Sequence, residues 1–507
     1  MRVMELDPDT CYKAVASHDR RFDGRFFVGV SSTGVYCRPI CAVRTPKREN
    51  CTFYESAASA EKHGFRPCLR CRPELAPGHG LADISGRLAQ AAATLIDEGF
   101  MTGAGVAQLA ARIGVTERHL RRLFDAEFGV SVHEYAQTQK LLLAKRLLTD
   151  TDLPVMQVAL AAGFGSVRRF NDVLKDRYGL TPLAMRKRAA DGMADRLVFE
   201  LGYRPPMAWS QWLQFLAVRA VDGIDQCQGG IYTRTMSIDV GSHRYLGWVR
   251  LEHVPKRTVV RVTLSGSLAQ AIPQALGKVR RLCDLGCRPD IVDAHLGELA
   301  AQVPGMRLPG TFDGLEIAVR AIVGQVISVV QARRILARLV RIAGEPLPEA
   351  ALAGVVQPID AAPLTHAFPT AQALAALPDA EYQAAGVPMA KVRAIRALAR
   401  QVASGDIRLD PHAAPEDTVA RLCAIEGIGE WTAQYVAMRA LGWPDAFPAT
   451  DYALRKVLGV TTVRAMQAKT AHWAPWRAYA AIHLWHRYEA LKEEPKAQGA
   501  DIEEEAA

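Results

Sequence analysis

At 507 residues, with 49% hydrophobic and 23% charged positions, the chain has globular composition and is too long for one ordinary core, so several domains are expected. Lys and Arg (62) outnumber Asp and Glu (53) for a formal charge of +9. That charge divides as +8 over residues 1–190, +5 over 191–490 and −4 over 491–507, which favours a polyanionic partner met by two long regions rather than by one basic tail. No uncharged apolar run reaches the roughly 18 to 20 residues that cross a bilayer, and Met1 to Asp9 carries no apolar leader, so a soluble, cytoplasmic protein without membrane association is expected.

Residues 11–79 are turn-rich and basic and end in Pro77-Gly-His-Gly80, a linker signal that places a first boundary at 79. Six of the ten cysteines lie in the first 71 residues, which in a cytosolic chain favours metal over disulfides. Cys37-x3-Cys41 and Cys68-x2-Cys71 offer four soft ligands in two close pairs, the set that tetrahedral zinc takes. Cys11 and Cys51 are then free thiols. Spacing alone fits a purely structural zinc that only anchors the domain.

Residues 80–190 read as helices, with apolar stripes Val106, Leu109, Ala110, Ile113 and Val155, Val158, Ala159, Ala162. Each stripe leads through a Gly-containing turn into a basic helix. Arg118, His119, Arg121 and Arg122 in the first, and Arg168, Arg169 and Asn171 in the second, fit recognition helices that reach base edges and phosphates. Leu120, Phe124, Phe170 and Leu174 are expected in the core. Alternation at Val260, Val262 and Leu264 signals strands between about 230 and 265, giving a separate α+β domain over 195–305. Residues 306–490 return to helix, and the acidic tail 491–507 is expected to be disordered. Within the last helical region, Gly427-Ile428-Gly429 joins two helices and offers backbone amides to a DNA phosphate. Asp451 follows 22 residues later.

The motifs carry resemblances. Val35-Tyr-Cys-Arg-Pro-Ile-Cys41 and Gly64-Phe-Arg-Pro-Cys-Leu-Arg-Cys71 closely resemble the N-terminal domain of the Ada family, which repairs methylphosphotriesters in DNA. The resemblance implies that Cys37 accepts the methyl group while Cys37, Cys41, Cys68 and Cys71 hold one Zn²⁺. Four thiolates on Zn²⁺ carry a formal −2 that falls to −1 on methylation, a physical route to a damage-sensing switch. Val158-Ala-Leu-Ala-Ala-Gly-Phe-Gly-Ser166 and Arg177-Tyr-Gly-Leu-Thr-Pro182 resemble the AraC-type DNA-binding domain.

Leu422-Cys-Ala-Ile-Glu-Gly-Ile-Gly-Glu-Trp-Thr-Ala433 resembles the helix-hairpin-helix of base-excision glycosylases. With Phe447-Pro-Ala-Thr-Asp-Tyr452, Val319-Arg-Ala-Ile-Val-Gly-Gln-Val-Ile-Ser328 and Ala474-Pro-Trp-Arg-Ala-Tyr-Ala-Ala-Ile-His-Leu-Trp485, it looks like 3-methyladenine DNA glycosylase II, the AlkA type. Arg204-Pro-Pro-Met-Ala-Trp-Ser210 begins a match to that family's N-terminal domain, whose fold is TATA-binding-protein-like. The resemblance implies Asp451 as catalytic carboxylate, a base pocket of Trp431, Tyr435, Tyr452, Trp485 and Phe215, a wedge at Gln325 and Val326, and a phosphate site at Gly427 and Gly429. An alkylated, cationic base would be drawn to aromatic faces by roughly 0.5 to 2 kcal/mol.

Trp431 stands where bifunctional relatives carry a Schiff-base lysine, so hydrolysis without strand cleavage is expected. Cys423 is the last cysteine, which excludes a C-terminal iron–sulfur cluster, and no organic cofactor is expected. Glu426 and Ala449-Thr450 depart from the family pattern. No Pro-Cys-His-Arg motif occurs, so an O6-methylguanine methyltransferase domain is not expected. The expected fold is therefore multidomain: a small zinc-binding α+β domain, an all-α tandem helix-turn-helix domain, a TATA-binding-protein-like α+β domain and an all-α helix-hairpin-helix glycosylase domain. Expected partners are damaged and promoter double-stranded DNA, with RNA polymerase for an activator, and the protein is expected to be a nucleoid-associated monomer. The competing reading is a regulator whose C-terminal half binds DNA without catalysis.

Overall fold

The computed structural model describes residues 7–78, 87–102, 104–186, 195–356 and 362–493. The boundaries expected at 79 and 190, and most of the acidic tail, lie outside these residues. Among them no helix is long and apolar enough to cross a membrane.

Asp7 caps α1 (Pro8–Ala16), a helix that the turn-rich reading of this region did not anticipate. Next come β1 (Phe27–Val30), β2 (Val35–Cys37), β3 (Cys51–Tyr54), α2 (Ala57–Lys62) and the short β4 (Arg66–Pro67), in sheet order β3-β1-β2-β4. β2 and β4 run parallel, with Tyr36 opposite Pro67, so Cys37 and Cys68 leave the same end of the sheet.

The next layer is helical: α3 (Arg87–Asp97), α4 (Val106–Arg112), α5 (Glu117–Phe128), α6 (Val132–Asp150), α7 (Val155–Ala161), α8 (Val167–Tyr178) and α9 (Pro182–Met185). The two units use the same devices. Thr116 and Ser166 cap α5 and α8 through the amides of His119 and Arg169, and left-handed Gly129 and Gly179 end those helices, where only glycine avoids the Cβ penalty. Leu120, Phe124, Phe170 and Leu174 are fully buried, as expected.

β5 (Arg196–Gly202), α10 (Trp209–Ala217), β6 (Asp225–Gln228), β7 (Ile231–Val240), β8 (His243–Val254), β9 (Val259–Ser265) and α11 (Ile272–Leu282) form an antiparallel sheet of order β5-β9-β8-β7-β6 with helices against it. Its core is continuous with that of the second helix-turn-helix unit. The remaining elements are α12 (Pro289–Leu296), α13 (Glu298–Ala301), α14 (Gly314–Gly324), α15 (Val329–Ala343), β10 (Glu345–Pro346), α16 (Glu349–Leu352), β11 (His366–Ala367), α17 (Ala371–Ala376), α18 (Asp379–Ala385), α19 (Met389–Ser404), α20 (Pro415–Cys423), α21 (Glu430–Arg439), α22 (Tyr452–Leu458), α23 (Val463–Thr470) and α24 (Arg477–Glu493). They pack around two apolar clusters.

Buried polar ties join the zinc-site layer to α6 and α8. Lys145 donates to both Glu74 oxygens at 2.6 and 2.5 Å. Burial pushes the Glu74 carboxyl up, but Lys145 and Arg72 outweigh it and hold it below its ordinary value. Glu61 accepts from Tyr36 at 3.0 Å, Thr138 at 2.9 Å and Tyr178 at 2.8 Å. For Glu61 burial wins over these three donors, and its carboxyl is pushed up from 4.5 to about 7. The folded carboxyl therefore holds its proton at pH values where the unfolded chain has released it, so stability falls as pH rises through that window. Across it the loss amounts to roughly 3 kcal/mol. Thermal melts of wild type and Glu61→Gln from pH 4.5 to 7.5 check this: the variant should lose the part of the pH dependence that Glu61 contributes.

Candidate functional site

The four-cysteine site sits where the parallel β2–β4 pairing converges. The sulfurs of Cys37, Cys41, Cys68 and Cys71 lie within 4.8 Å of one another, a spacing that four thiolates on one zinc satisfy. Among the described residues no other group of three or more His, Cys, Asp or Glu side chains has metal-binding geometry. Cys11 and Cys51 stand apart from it, buried and free. Cys37, Cys41 and Cys68 are buried, while Cys71 is more open. The Cys71 sulfur accepts from the Arg38 amide at 3.4 Å. Such a bond drains charge from a thiolate. Arg38 is fixed by the buried Asp23 carboxylate, its Nε donating at 2.8 Å, and Arg204 from the sheet layer donates to the Asp23 carbonyl at 3.0 Å. Nothing in the sequence pointed to Arg38 or Asp23 as braces of the site.

On the helix-turn-helix units, Arg118, Arg121, Arg122, Arg168, Arg169 and Asn171 are exposed and His119 is half-buried. Arg121 also pairs with Glu117 one turn earlier.

In the C-terminal half, α20 and α21 form the hairpin. Gly427 has φ +91°, and a Cβ there would meet Ala394 at 3.1 Å, so glycine is required. Gly429 caps α21 with extended backbone, and the space where its Cβ would stand is open, leaving the first amides of the helix approachable. Glu426 is exposed beside them.

Val326 is fully exposed and held at φ +59°, a conformation that costs a β-branched residue roughly 1 to 3 kcal/mol. Its neighbour Gln325 donates to Gly427 O at 3.1 Å and Thr432 Oγ1 at 3.0 Å. Lys391 donates to Val323 O at 2.9 Å and Gln325 O at 2.7 Å. The protruding residue is thus locked to the hairpin.

Asp451 caps α22 by accepting from the Leu454 amide at 2.9 Å, the role that an isolated aspartate before a helix would suggest. It also accepts from the indole Nε1 of Trp431 at 2.7 Å and of Trp485 at 3.2 Å. The carboxylate therefore sits at the wall of a cavity of about 410 Å³ lined by Phe215, Trp431, Tyr435 and Trp485. Trp431 and Tyr435 stack with centroids 5.3 Å apart and planes 6° from parallel, while Met438, at i+7 from Trp431 on α21, is core.

Tyr452 is not brought into this wall. As the first residue of α22, directly after the cap, it is 69% exposed and lies edge-on to Tyr488. Phe215 is in the wall, but its ring already carries the guanidiniums of Arg219 at 3.8 Å and Arg439 at 4.9 Å. Attraction of a cationic base to that ring, expected from the sequence, is therefore largely satisfied from within the protein. The sequence reading missed Arg219, Arg439 and Lys391. Arg439 alone left a signal, as a cation four residues after Tyr435 in an otherwise apolar stretch of α21.

A four-cysteine metal site, a tandem helix-turn-helix and a hairpin-plus-aspartate pocket in one chain define a DNA repair protein that fuses a regulator to a glycosylase. Residues 10–74 match the metal binding domain of Ada, 109–188 a helix-turn-helix domain and 198–313 the AlkA N-terminal domain. A probable bifunctional transcriptional activator/DNA repair enzyme AlkA of Mycobacterium tuberculosis is 37% identical over 498 residues, 95% of this chain and 97% of that one. DNA-3-methyladenine glycosylase 2 of Escherichia coli is 34% identical over 57% of this chain and 97% of its own length. The bifunctional transcriptional activator/DNA repair enzyme AdaA of Bacillus subtilis is 29% identical over 36% of this chain and 84% of its own. Among solved structures, a 3-methyladenine DNA glycosylase from Archaeoglobus fulgidus aligns over 58% of this chain and 99% of its own, at 17% identity and TM-score 0.47. The chain belongs to the family of bifunctional transcriptional activator/DNA repair enzymes.

Proposed function

We propose that this protein repairs alkylated DNA and regulates that repair, with a monofunctional glycosylase centred on Asp451 and a stoichiometric methyl acceptor at Cys37. The observation that carries the glycosylase is the Asp451 carboxylate held by two indole donors at the wall of an aromatic cavity. Breaking the bond between C1′ and an alkylated purine, such as 3-methyladenine or 7-methylguanine, sends the electron pair to the base. Positive charge is left on the sugar, where a fixed carboxylate stabilises it until water adds. Trp431, Tyr435, Trp485 and Phe215 enclose the base, Gly427 and Gly429 hold a phosphate, and Gln325 with Val326 fills the gap left in the duplex.

At the N-terminus, Cys37, Cys41, Cys68 and Cys71 would hold Zn²⁺, which when bound keeps the sulfurs as thiolates at neutral pH. Cys37 sulfur attacks the methyl carbon of a phosphotriester. The carbon–oxygen bond breaks, the phosphodiester keeps the electron pair, and S-methylcysteine remains. The match of residues 10–74 to the metal binding domain of Ada supports Cys37 as the acceptor. The division at 79, 190–195, 305 and 490 gives each activity its own module, with Arg118, His119, Arg121, Arg122, Arg168, Arg169 and Asn171 reading promoter DNA. As an activator the protein would engage RNA polymerase, acting as a monomer in the nucleoid.

Release of free methylated base from alkylated duplex tests the glycosylase; a wild-type protein that binds such DNA without releasing base would support the non-catalytic regulator instead. Val326→Gly should lower excision from duplex about tenfold, because the flipped state loses its plug. Excision from single strands should be unchanged, and thermal stability should not fall, since glycine relieves the left-handed strain.

A further inference from the structure

Two aromatic paths lead through the base cavity from Asp451 to a pair of guanidiniums. On one, Trp431 bonds Asp451 and stacks on Tyr435, whose hydroxyl accepts from Arg439 Nη1 at 2.7 Å. On the other, Trp485 bonds Asp451 and lies 6.3 Å from Phe215, the ring that carries Arg219 and Arg439. The carboxylate and the guanidiniums therefore stand at opposite ends of these aromatic paths.

The two arginines differ from their charged neighbours. Arg234 and Arg320 are balanced by Glu316 and Asp225. Arg439 is buried and donates only to neutral groups, the carbonyls of Pro309 and Gly310 and the Tyr435 hydroxyl. Arg219 donates to the Phe215 carbonyl at 2.9 Å. Among the described residues neither has a carboxylate within ion-pair distance. Burial pushes the Tyr435 phenol up, but Arg439, Arg219 and Arg320 outweigh it and hold it below its ordinary value, as guanidiniums at this end of the cavity require.

An N-alkylated purine carries its positive charge on the ring until the glycosidic bond breaks, and then the charge appears on the sugar. A cation at the base end and an anion at the sugar end both favour that movement. They act more strongly on the transition state than on the bound substrate.

We propose that Arg219 and Arg439 impose a charge gradient across the base cavity that drives positive charge from base to sugar, at the expense of affinity for cationic bases. The proposal rests on the glycosylase reading above and adds what sets the balance between binding and cleavage. Neutral lesions would then bind without repulsion and still gain at the transition state, since their departing base becomes negative.

The test uses the full chain with duplexes carrying one 7-methylguanine, a cation, or one 1,N6-ethenoadenine, which is neutral. Single-turnover cleavage and binding are measured for wild type, Arg219→Met and Arg439→Gln. Cleavage should slow about tenfold on both lesions when either charge is removed, while binding tightens several-fold for 7-methylguanine alone. A merely structural role would weaken both lesions alike and leave their binding ratio unchanged, and that result overturns the proposal, as does unaltered cleavage. Arg219 is half-exposed and decides the matter if Arg439→Gln does not fold. Binding is repeated in an Asp451→Asn background, so a wild type that releases no base would refute the glycosylase, while the lesion-dependent shift in affinity still decides the charge gradient.

Discussion

Asp451→Asn should lower the single-turnover rate of base release by roughly 10² to 10⁴, while leaving the fold and lesion binding nearly intact. Asparagine is as good a helix cap as aspartate, so the bond from the Leu454 amide that starts α22 survives, and the stability cost, about 1 to 3 kcal/mol, is that of an indole left without an acceptor. What changes is the second oxygen, Oδ2, which accepts from Trp431. Trp431 and Trp485 each donate an indole N–H to the carboxylate, and an amide has one acceptor oxygen where the carboxylate has two. Cleavage loses the negative charge that faces the developing cation on the sugar. Chromatography of released base and a melting curve on the same variant check both halves.

Cys37→Ser should abolish methyl acceptance and lower zinc content. The core around this site is small and counts the four cysteines among its members, so the metal supplies much of its stability; for comparable sites binding amounts to about 10 to 16 kcal/mol. Opening should stay local, because Glu74–Lys145 and the Glu61 cluster still tie the region to α6 and α8. Losing the metal would silence any of the four sulfurs, so the assignment needs a second reading in the wild type. Peptide mapping after exposure to methylphosphotriester DNA should place the S-methyl group on Cys37. Its appearance on Cys71, the most open of the four, would reassign the acceptor.

What the sequence made legible was local. Two basic helices after glycine turns and a Gly-x-Gly hairpin are patterns a few residues long that the structure places on α5, α8 and the α20–α21 turn, while the two cysteine pairs were legible by spacing alone. The pairing that unites the cysteine pairs was not legible, because β4 is two residues long and carries no period. Tyr452 lies outside the cavity wall that its neighbour Asp451 joins. The family resemblance implied a place for it in the pocket, yet as the residue after the cap it stands exposed beside Tyr488. The groups that shape the cavity and join the layers come from far apart. Glu61 meets Tyr178 across 117 positions and Glu74 meets Lys145 across 71, distances at which no spacing rule operates. Arg219 and Arg439 acquire meaning only when α10 and α21 meet at Phe215.

In the proposed scheme one chain carries two separate repair chemistries on separate residues. A single reaction tests it: the full-length protein is mixed with methylated duplex DNA, free base is measured by chromatography, and the intact protein is weighed. Wild type should release methylated base and gain the mass of one methyl group in place of hydrogen. Asp451→Asn should gain the methyl group without releasing base, and Cys37→Ser should release base without gaining mass. Loss of both activities in either variant, or base release undiminished by Asp451→Asn, would contradict the account.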